Sequence, residues 1–162
     1  MYNSSDINEE IQQLLETYSK MIISIAYTYV KNMADAEDIS QEVFVSLMTH
    51  KVNFVDSEHQ KAYIIRTTIN HCKNHLNSSQ FKKTIPLEEN LSYMPHEESG
   101  LLDVVTKLPT KYHFVIHLYY YENYSIKEIA KILHKHPATV GTLLARGRKL
   151  LKKQLEGENY DV

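Results

Sequence analysis

The residues with the most evident chemistry lie near the C-terminus, where Thr139, Thr142, Arg146, Lys149 and Lys153 recur every three or four positions. In a helix that spacing gathers them on one face. Hydroxyl and guanidinium groups on an exposed helix suit base edges in the major groove, and ammonium groups suit phosphates. A basic stripe alone is usually the solvated side of an amphipathic helix. The preceding stretch changes that reading: Ser125 followed by Glu128 is a capping box, and Ile126, Ile129, Ala130 and Leu133 repeat with helical period. His134 to His136 then break the pattern, and Pro137 suits the first turn of another helix. A capped helix, a three-residue turn and a second helix spell a helix-turn-helix. Ala130 and Val140 would stand at the closest approach, Ile129 and Leu143 would complete the seam, and Val140, Leu144, Gly147 and Leu151 would form the inner face.

Other chemistry is weaker. Two histidine pairs, His71 with His75 and His113 with His117, have the i, i+4 spacing that can bind a metal. Neither has the internal Glu of the zinc-protease helix, no third ligand is evident, and their Tyr, Lys and Asn neighbours suggest ordinary, partly exposed histidines. There is no glycine-rich phosphate loop and no nucleophile elbow. The lone cysteine, Cys72, excludes an internal disulfide framework and any multi-thiolate zinc site, and fits a reducing compartment. The sequence therefore predicts no catalytic residue, no metal and no cofactor.

The elements that must position these residues read as helices throughout. Ile7, Ile11, Leu14, Tyr18, Ile22, Ile25 and Tyr29 mark a first helix, whose spacing admits one interruption. Asp35 is a good N-cap for a second, with Ala36, Ile39, Val43 and Leu47 on one face and an end near His50. After a loop from Lys51 to Asp56, Ser57 and Gln60 read as a capping box for a third, carrying Ala62, Ile65, Ile69, Cys72 and Leu76 on one side. Lys61, Arg66, Asn70, Lys73 and Asn74 lie on the other. Residues 77–100 lose the periodicity and are rich in Ser, Pro, Asn and Glu, as a linker is. A short helix over 101–108, one following Pro109, and the helix-turn-helix ending near Leu155 complete the chain.

Composition agrees. At 162 residues with 43% hydrophobic and 23% charged positions, the chain is long enough for one domain or two small ones with a real core. Four Gly and four Pro are few for a protein of tight turns and short strands. No apolar run approaches the roughly 20 residues that span a bilayer, and the N-terminus lacks a secretory pattern. A cytoplasmic protein without membrane insertion is expected. The net charge of −2 conceals a division: residues 1–60 hold three Lys against ten Asp and Glu, and residues 61–85 hold five Lys and Arg with no acid. Residues 86–110 hold one Lys against five acids, and residues 111–155 hold nine Lys and Arg against two Glu. Two basic segments predict polyanion contact at two places, and the acidic surface predicts a basic partner.

The stretch from Leu108-Pro109-Thr110-Lys111-Tyr112 through Leu118 to Ala130, then Thr139-Val140 and Arg146-Gly147-Arg148-Lys149-Leu150, resembles the fourth conserved region of bacterial RNA polymerase sigma factors of the extracytoplasmic-function group. Asp35-Ala36-Glu37-Asp38-Ile39-Ser40-Gln41-Glu42-Val43-Phe44 resembles that group's second region, and Ala62 to Asn70 the helix that follows. The resemblance implies an all-α protein of two small helical domains joined by a flexible linker: a region 2 domain over 1–78, a linker over 79–99 and a region 4 domain over 100–157. It implies that Asp35, Asp38, Gln41 and Glu42 dock on core RNA polymerase. It also implies that Phe54, Lys61, Arg66, Asn70, Lys73 and Asn74 hold the unwound minus-ten strand, with Tyr63 standing where the family usually has Trp, and that Thr139, Thr142, Arg146, Arg148, Lys149 and Lys153 bind the minus-thirty-five duplex. An anti-sigma factor is implied as a further partner. The family's helix-turn-helix usually has Gly where this sequence has His134, a residue type that tolerates left-handed backbone.

The sequence thus predicts a non-enzymatic transcription initiation factor that binds core polymerase and promoter DNA. The alternative is a self-standing helix-turn-helix regulator, which would leave the Asp35–Phe44 block without a role and would ordinarily dimerise. A His-pair metalloenzyme is a distant third.

Overall fold

The computed structural model describes residues 4–77 and 103–160, and every regular element among them is helical. The chain divides into two compact units. The linker expected over 79–99, and Leu101 of the short helix after it, lie outside the described residues.

Among the described residues the first unit has three helices: α1 (Ser4–Val30), α2 (Met33–His50) and α3 (Ser57–Asn77). The first runs unbroken, and each packs on the other two. Ile22, Ile25, Ile39, Ile64 and Ile65 have no significant exposure, and Ala36 and Cys72 fill the spaces between them. Burying such an isoleucine contributes about 1.5–3 kcal/mol. The fully buried hydroxyls of Thr28 and Thr68 are satisfied within their own helices: Thr28 Oγ1 donates to the Ile25 carbonyl at 2.8 Å and Thr68 Oγ1 to that of Ile64 at 2.7 Å.

The helix starts differ from the sequence reading. Asn32, not Asp35, caps α2: its backbone is extended and its side chain accepts the Asp35 N–H at 3.2 Å. Asn and Asp are equivalent caps, so geometry decides, and Lys31 at φ 60° turns the chain so that Asn32 meets the helix start. The start of α3 is likewise capped by Asp56, whose carboxylate accepts the His59 N–H at 2.8 Å, rather than by a box of Ser57 and Gln60; Ser57 is already the first helical residue.

The described part of the second unit opens on a helical turn over residues 103–106 and a 3₁₀ turn at Thr110–Tyr112. Then come α4 (His113–Tyr120), α5 (Ile126–Leu133) and α6 (Pro137–Tyr160). Val104, Val105, Leu108, Tyr112, Ile116, Leu144 and Leu151 form its core, with Tyr119, Leu143 and Leu150 packed around them. Gly147 permits the close approach of α6 to α4: a Cβ there would lie 3.0 Å from Ile116 Cδ1 and 3.5 Å from Tyr112 Cβ. The final helix runs past the predicted end near Leu155, to Tyr160.

His113 and His117, expected to be partly exposed, are 0% and 1% exposed. They lie on the inner face of α4 among Phe114, Val115, Ile116 and Leu118, and periodicity counted in apolar residues alone overlooks them. His113 Nε2 donates to the Leu108 carbonyl at 2.7 Å. His117 stacks on Tyr121 with ring centroids 5.0 Å apart, and its Nε2 lies 3.7 Å from a Glu122 oxygen.

Candidate nucleic-acid and polymerase interfaces

In the second unit the helix-turn-helix is built by local hydrogen bonding. Ser125 Oγ accepts the Glu128 N–H at 3.2 Å, and Glu128 Oε1 accepts the Ser125 N–H at 3.1 Å, so both partners of the capping box are made. These bonds hold the Glu128 carboxyl below the usual carboxylate range, the bond from the Ser125 backbone contributing most. After α5, His134 adopts the left-handed conformation at φ 53°, ψ 45°, and the Lys135 N–H donates to the Ala130 carbonyl at 2.9 Å. Pro137 then starts α6 with no N–H to satisfy, while His136 Nδ1 accepts the Ala138 N–H at 3.2 Å. This histidine cap had no signal in the sequence, because His is not a usual capping residue.

Ile129, Ala130, Val140 and Leu144 are buried where the two helices meet, and Gly147 and Leu151 continue the inner face. Thr139, Thr142, Arg146, Lys149 and Lys153 are all exposed on the outer face. Thr142 Oγ1 donates to the Ala138 carbonyl at 3.0 Å, which leaves its lone pairs outward. Arg148 is exposed too, but it turns toward α4: its Nε donates to the Tyr120 hydroxyl at 2.7 Å and its guanidinium lies 4.7 Å from the Tyr119 ring centroid.

In the first unit Asp35, Asp38 and Glu42 share one edge of α2, with Gln41 beside them; Asp38, Gln41 and Glu42 are exposed and Asp35 half-buried. This edge adjoins α3, where His75 Nε2 lies 3.7 Å from Asp35 and His71 Nδ1 lies 3.5 Å from Glu42. The His71–His75 pair therefore meets carboxylates. On the far side of α3, Arg66, Asn70, Lys73 and Asn74 form a stripe opposite the buried Ile64, Ile65 and Thr68, and Lys61 in the first turn stands off it, half-buried. Phe54 is half-buried in the loop before α3, met edge-on by His59 and Tyr63 at 5.5 Å each. A groove of about 780 Å³ opens beside it, lined by Tyr18, Phe44, Leu47, Met48 and Asn53 among others. The family resemblance points to Phe54 and Tyr63; the groove depends on α1 packing against α2 and had no local signal.

The model of sigma-70 region 2 matches residues 14–81, and that of sigma-70 region 4 matches residues 100–151. The chain belongs to the sigma-70 family. The two matches fall in the family's order and together span most of the sequence. Among curated relatives, RNA polymerase sigma factor SigV of Bacillus subtilis is 28% identical over 145 residues, covering 83% of this chain and 84% of its own length. The ECF RNA polymerase sigma factor SigW of the same organism is 26% identical over 162 residues, covering 88% and 87%. The fold is similar to that of the sigma factor RpoE of Bartonella quintana, solved with the anti-sigma factor NepR, at TM-score 0.72 and 14% identity, covering 91% of this chain and 98% of that one. It is also similar to CnrH, solved with the cytosolic domain of CnrY, at TM-score 0.66 and 17% identity, covering 93% and 90%. This chain is a sigma factor of the extracytoplasmic-function group, a transcription initiation factor that directs promoter-specific transcription.

Proposed function

We propose that the two units divide the work of this sigma factor. The acidic edge of α2, with Asp35, Asp38, Gln41 and Glu42, binds a basic surface of core RNA polymerase through charge-assisted contacts. Lys61, Arg66, Asn70, Lys73 and Asn74 track the phosphates of the unwound minus-ten strand, and the groove beside Phe54 receives an unstacked base. The outer face of α6 enters the major groove of the minus-thirty-five duplex, with Thr139, Thr142 and Arg146 toward the bases and Lys149 and Lys153 on phosphates. In this reading residues 1–78 form the polymerase and minus-ten domain and residues 100–157 the minus-thirty-five domain. The chain works by binding and not by catalysis, in the cytoplasm beside the polymerase. No helix among the described residues is long and apolar enough to cross a membrane. RpoE of Bartonella quintana is solved in complex with the anti-sigma factor NepR, and an anti-sigma factor is the regulator proposed for this chain.

The observation that carries this reading is the exposed row of hydroxyl and cationic side chains on a helix whose opposite face is locked into a helix-turn-helix. Transcription by purified core polymerase on a promoter library tests it. Addition of the chain should produce discrete start sites sharing two sequence elements, and unaltered transcription would refute it.

A further inference from the structure

Arg148 is held in a way that the rest of the basic face is not. Tyr119 packs against the core cluster of the second unit, so its ring is a fixed surface. Tyr120 follows at nearly a right angle, with ring centroids 5.1 Å apart and planes at 76°. The two rings form a corner. Arg148, 28 residues further along the chain, places its guanidinium 4.7 Å from the Tyr119 centroid and 5.6 Å from that of Tyr120, and donates from Nε to the Tyr120 hydroxyl at 2.7 Å. Cation–π attraction and a hydrogen bond together suppress the rotamer freedom that an exposed arginine otherwise loses on binding. Tyr120 engages Nε and Tyr119 also hydrogen-bonds the guanidinium, so the Nη donors that remain are the ones available to a phosphate. Arg148 also lies two residues from Arg146, which on a helix puts it on the flank next to α4 and off the Thr139–Lys153 stripe.

We propose that Tyr119 and Tyr120 are positioning residues that preset Arg148 as a phosphate grip at the edge of the duplex interface, fixing where the DNA backbone passes between α6 and α4. This rests on the reading of the second unit as a duplex-binding module. The pair acts through Arg148 and contributes affinity by preorganisation and not by a contact of its own. Nothing in the local sequence indicates it, since two adjacent tyrosines and a distant arginine form no motif.

The test is binding of the full chain to double-stranded DNA over a series of salt concentrations, with Arg148→Ala, Arg148→Lys, Tyr120→Phe and the double variant Tyr120→Phe/Arg148→Ala. Arg148→Ala should weaken binding roughly tenfold and reduce the salt slope by about 0.9 unit, as loss of one phosphate contact does. Arg148→Lys should keep the slope. Tyr120→Phe retains the ring and should weaken binding roughly threefold with the slope unchanged, yet have no effect once Arg148 is Ala. Melting temperatures of the variants separate these effects from loss of fold. An unchanged slope for Arg148→Ala would mean that the tyrosines use Arg148 as an internal strut and would overturn the proposal. So would a Tyr120→Phe effect that persists in the double variant, because the hydroxyl would then act without Arg148. If the wild-type chain binds no duplex even at low salt, the reading of the second unit falls as well; binding by wild type with an unchanged Arg148→Ala slope removes this inference alone.

Discussion

In the first unit the carboxylates of α2 face histidines of α3, Asp35 against His75 and Glu42 against His71, while Asp38 and Gln41 face outward. In the second unit both carboxylates between residues 111 and 155 are engaged within the fold. Glu128 closes the capping box of α5, and Glu122 lies against buried His117. Nine cations lie over that span, and the acid that meets one of them comes from beyond it, Glu156 at 3.9 Å from Lys152. The sign of each surface is thus set by which acids the fold consumes as much as by how many the sequence contains. A nearly neutral chain acquires one edge suited to a basic protein surface and another suited to a polyanion.

Damage to either core should break this comparison most strongly. Ile65→Ala and Leu144→Ala each remove a fully buried side chain, from the first and second units respectively, and each should cost about 2–5 kcal/mol. Burial pushes the Cys72 thiol up to about 12, which keeps it protonated and shielded at neutral pH. Alkylation of Cys72 should therefore become fast in Ile65→Ala and stay slow in Leu144→Ala, whose damage registers in the helix-turn-helix. Equal alkylation of both variants would mean that the units share one cooperative core.

The next effect sharpens the contrast between base reading and phosphate contact within the second unit. Arg146→Ala should cost roughly 1–3 kcal/mol on the preferred minus-thirty-five duplex and little on a scrambled one, if its guanidinium reads a guanine edge. Lys149→Ala should weaken binding to both duplexes alike and lower the salt slope by about one unit. Equal losses on both duplexes for Arg146→Ala would transfer base reading to Thr139 and Thr142.

Two glycines on one helix give a smaller, opposed pair. A Cβ at Gly141 meets nothing within 4 Å, so Gly141→Ala should stabilise the second unit by about 0.5–1 kcal/mol through helix propensity. At Gly147 the same change presses on Ile116, and its melting temperature should fall below that of Gly141→Ala. A higher melting temperature for Gly147→Ala would contradict the close packing of α4 on α6.

The smallest effect concerns pH. Because Ser125 depresses the Glu128 carboxyl, the capping box contributes stability that is fully present above the ordinary carboxylate pKa and disappears as pH falls through the lowered value. Glu128→Gln should flatten the acid limb of the second unit's melting curve and leave the acid response at Cys72 unchanged. An identical acid limb in the variant would mean that the box is not made in solution.

Much of this was legible because the relevant signals are local. Ser125 with Glu128, the tolerance of His134 for left-handed backbone, Pro137 at a first turn and the buried side of α6 all follow from neighbours within four or five residues. Where two neighbours could play one part, sequence was insufficient: Asn32 caps α2 although Asp35 is as good a residue type, and Asp56 takes the place assigned to Ser57. Periodicity also misjudged His113 and His117, since a hydrogen bond to Leu108 and stacking on Tyr121 make a buried histidine acceptable only in the folded context. The groove beside Phe54 and the Arg148 corner depend on helices far apart in sequence, so no spacing rule reports them.

The division of labour itself is tested most directly by the affinity of the chain for core RNA polymerase after Asp38→Ala, Gln41→Ala and Glu42→Ala are combined. These side chains are exposed on α2, so the fold should survive and duplex binding by the second unit should be unchanged. The account predicts a loss of core affinity of roughly tenfold or more, from removal of two exposed charges and an amide at a charged interface. Wild-type affinity in the triple variant would contradict it and favour a second unit that regulates transcription by itself.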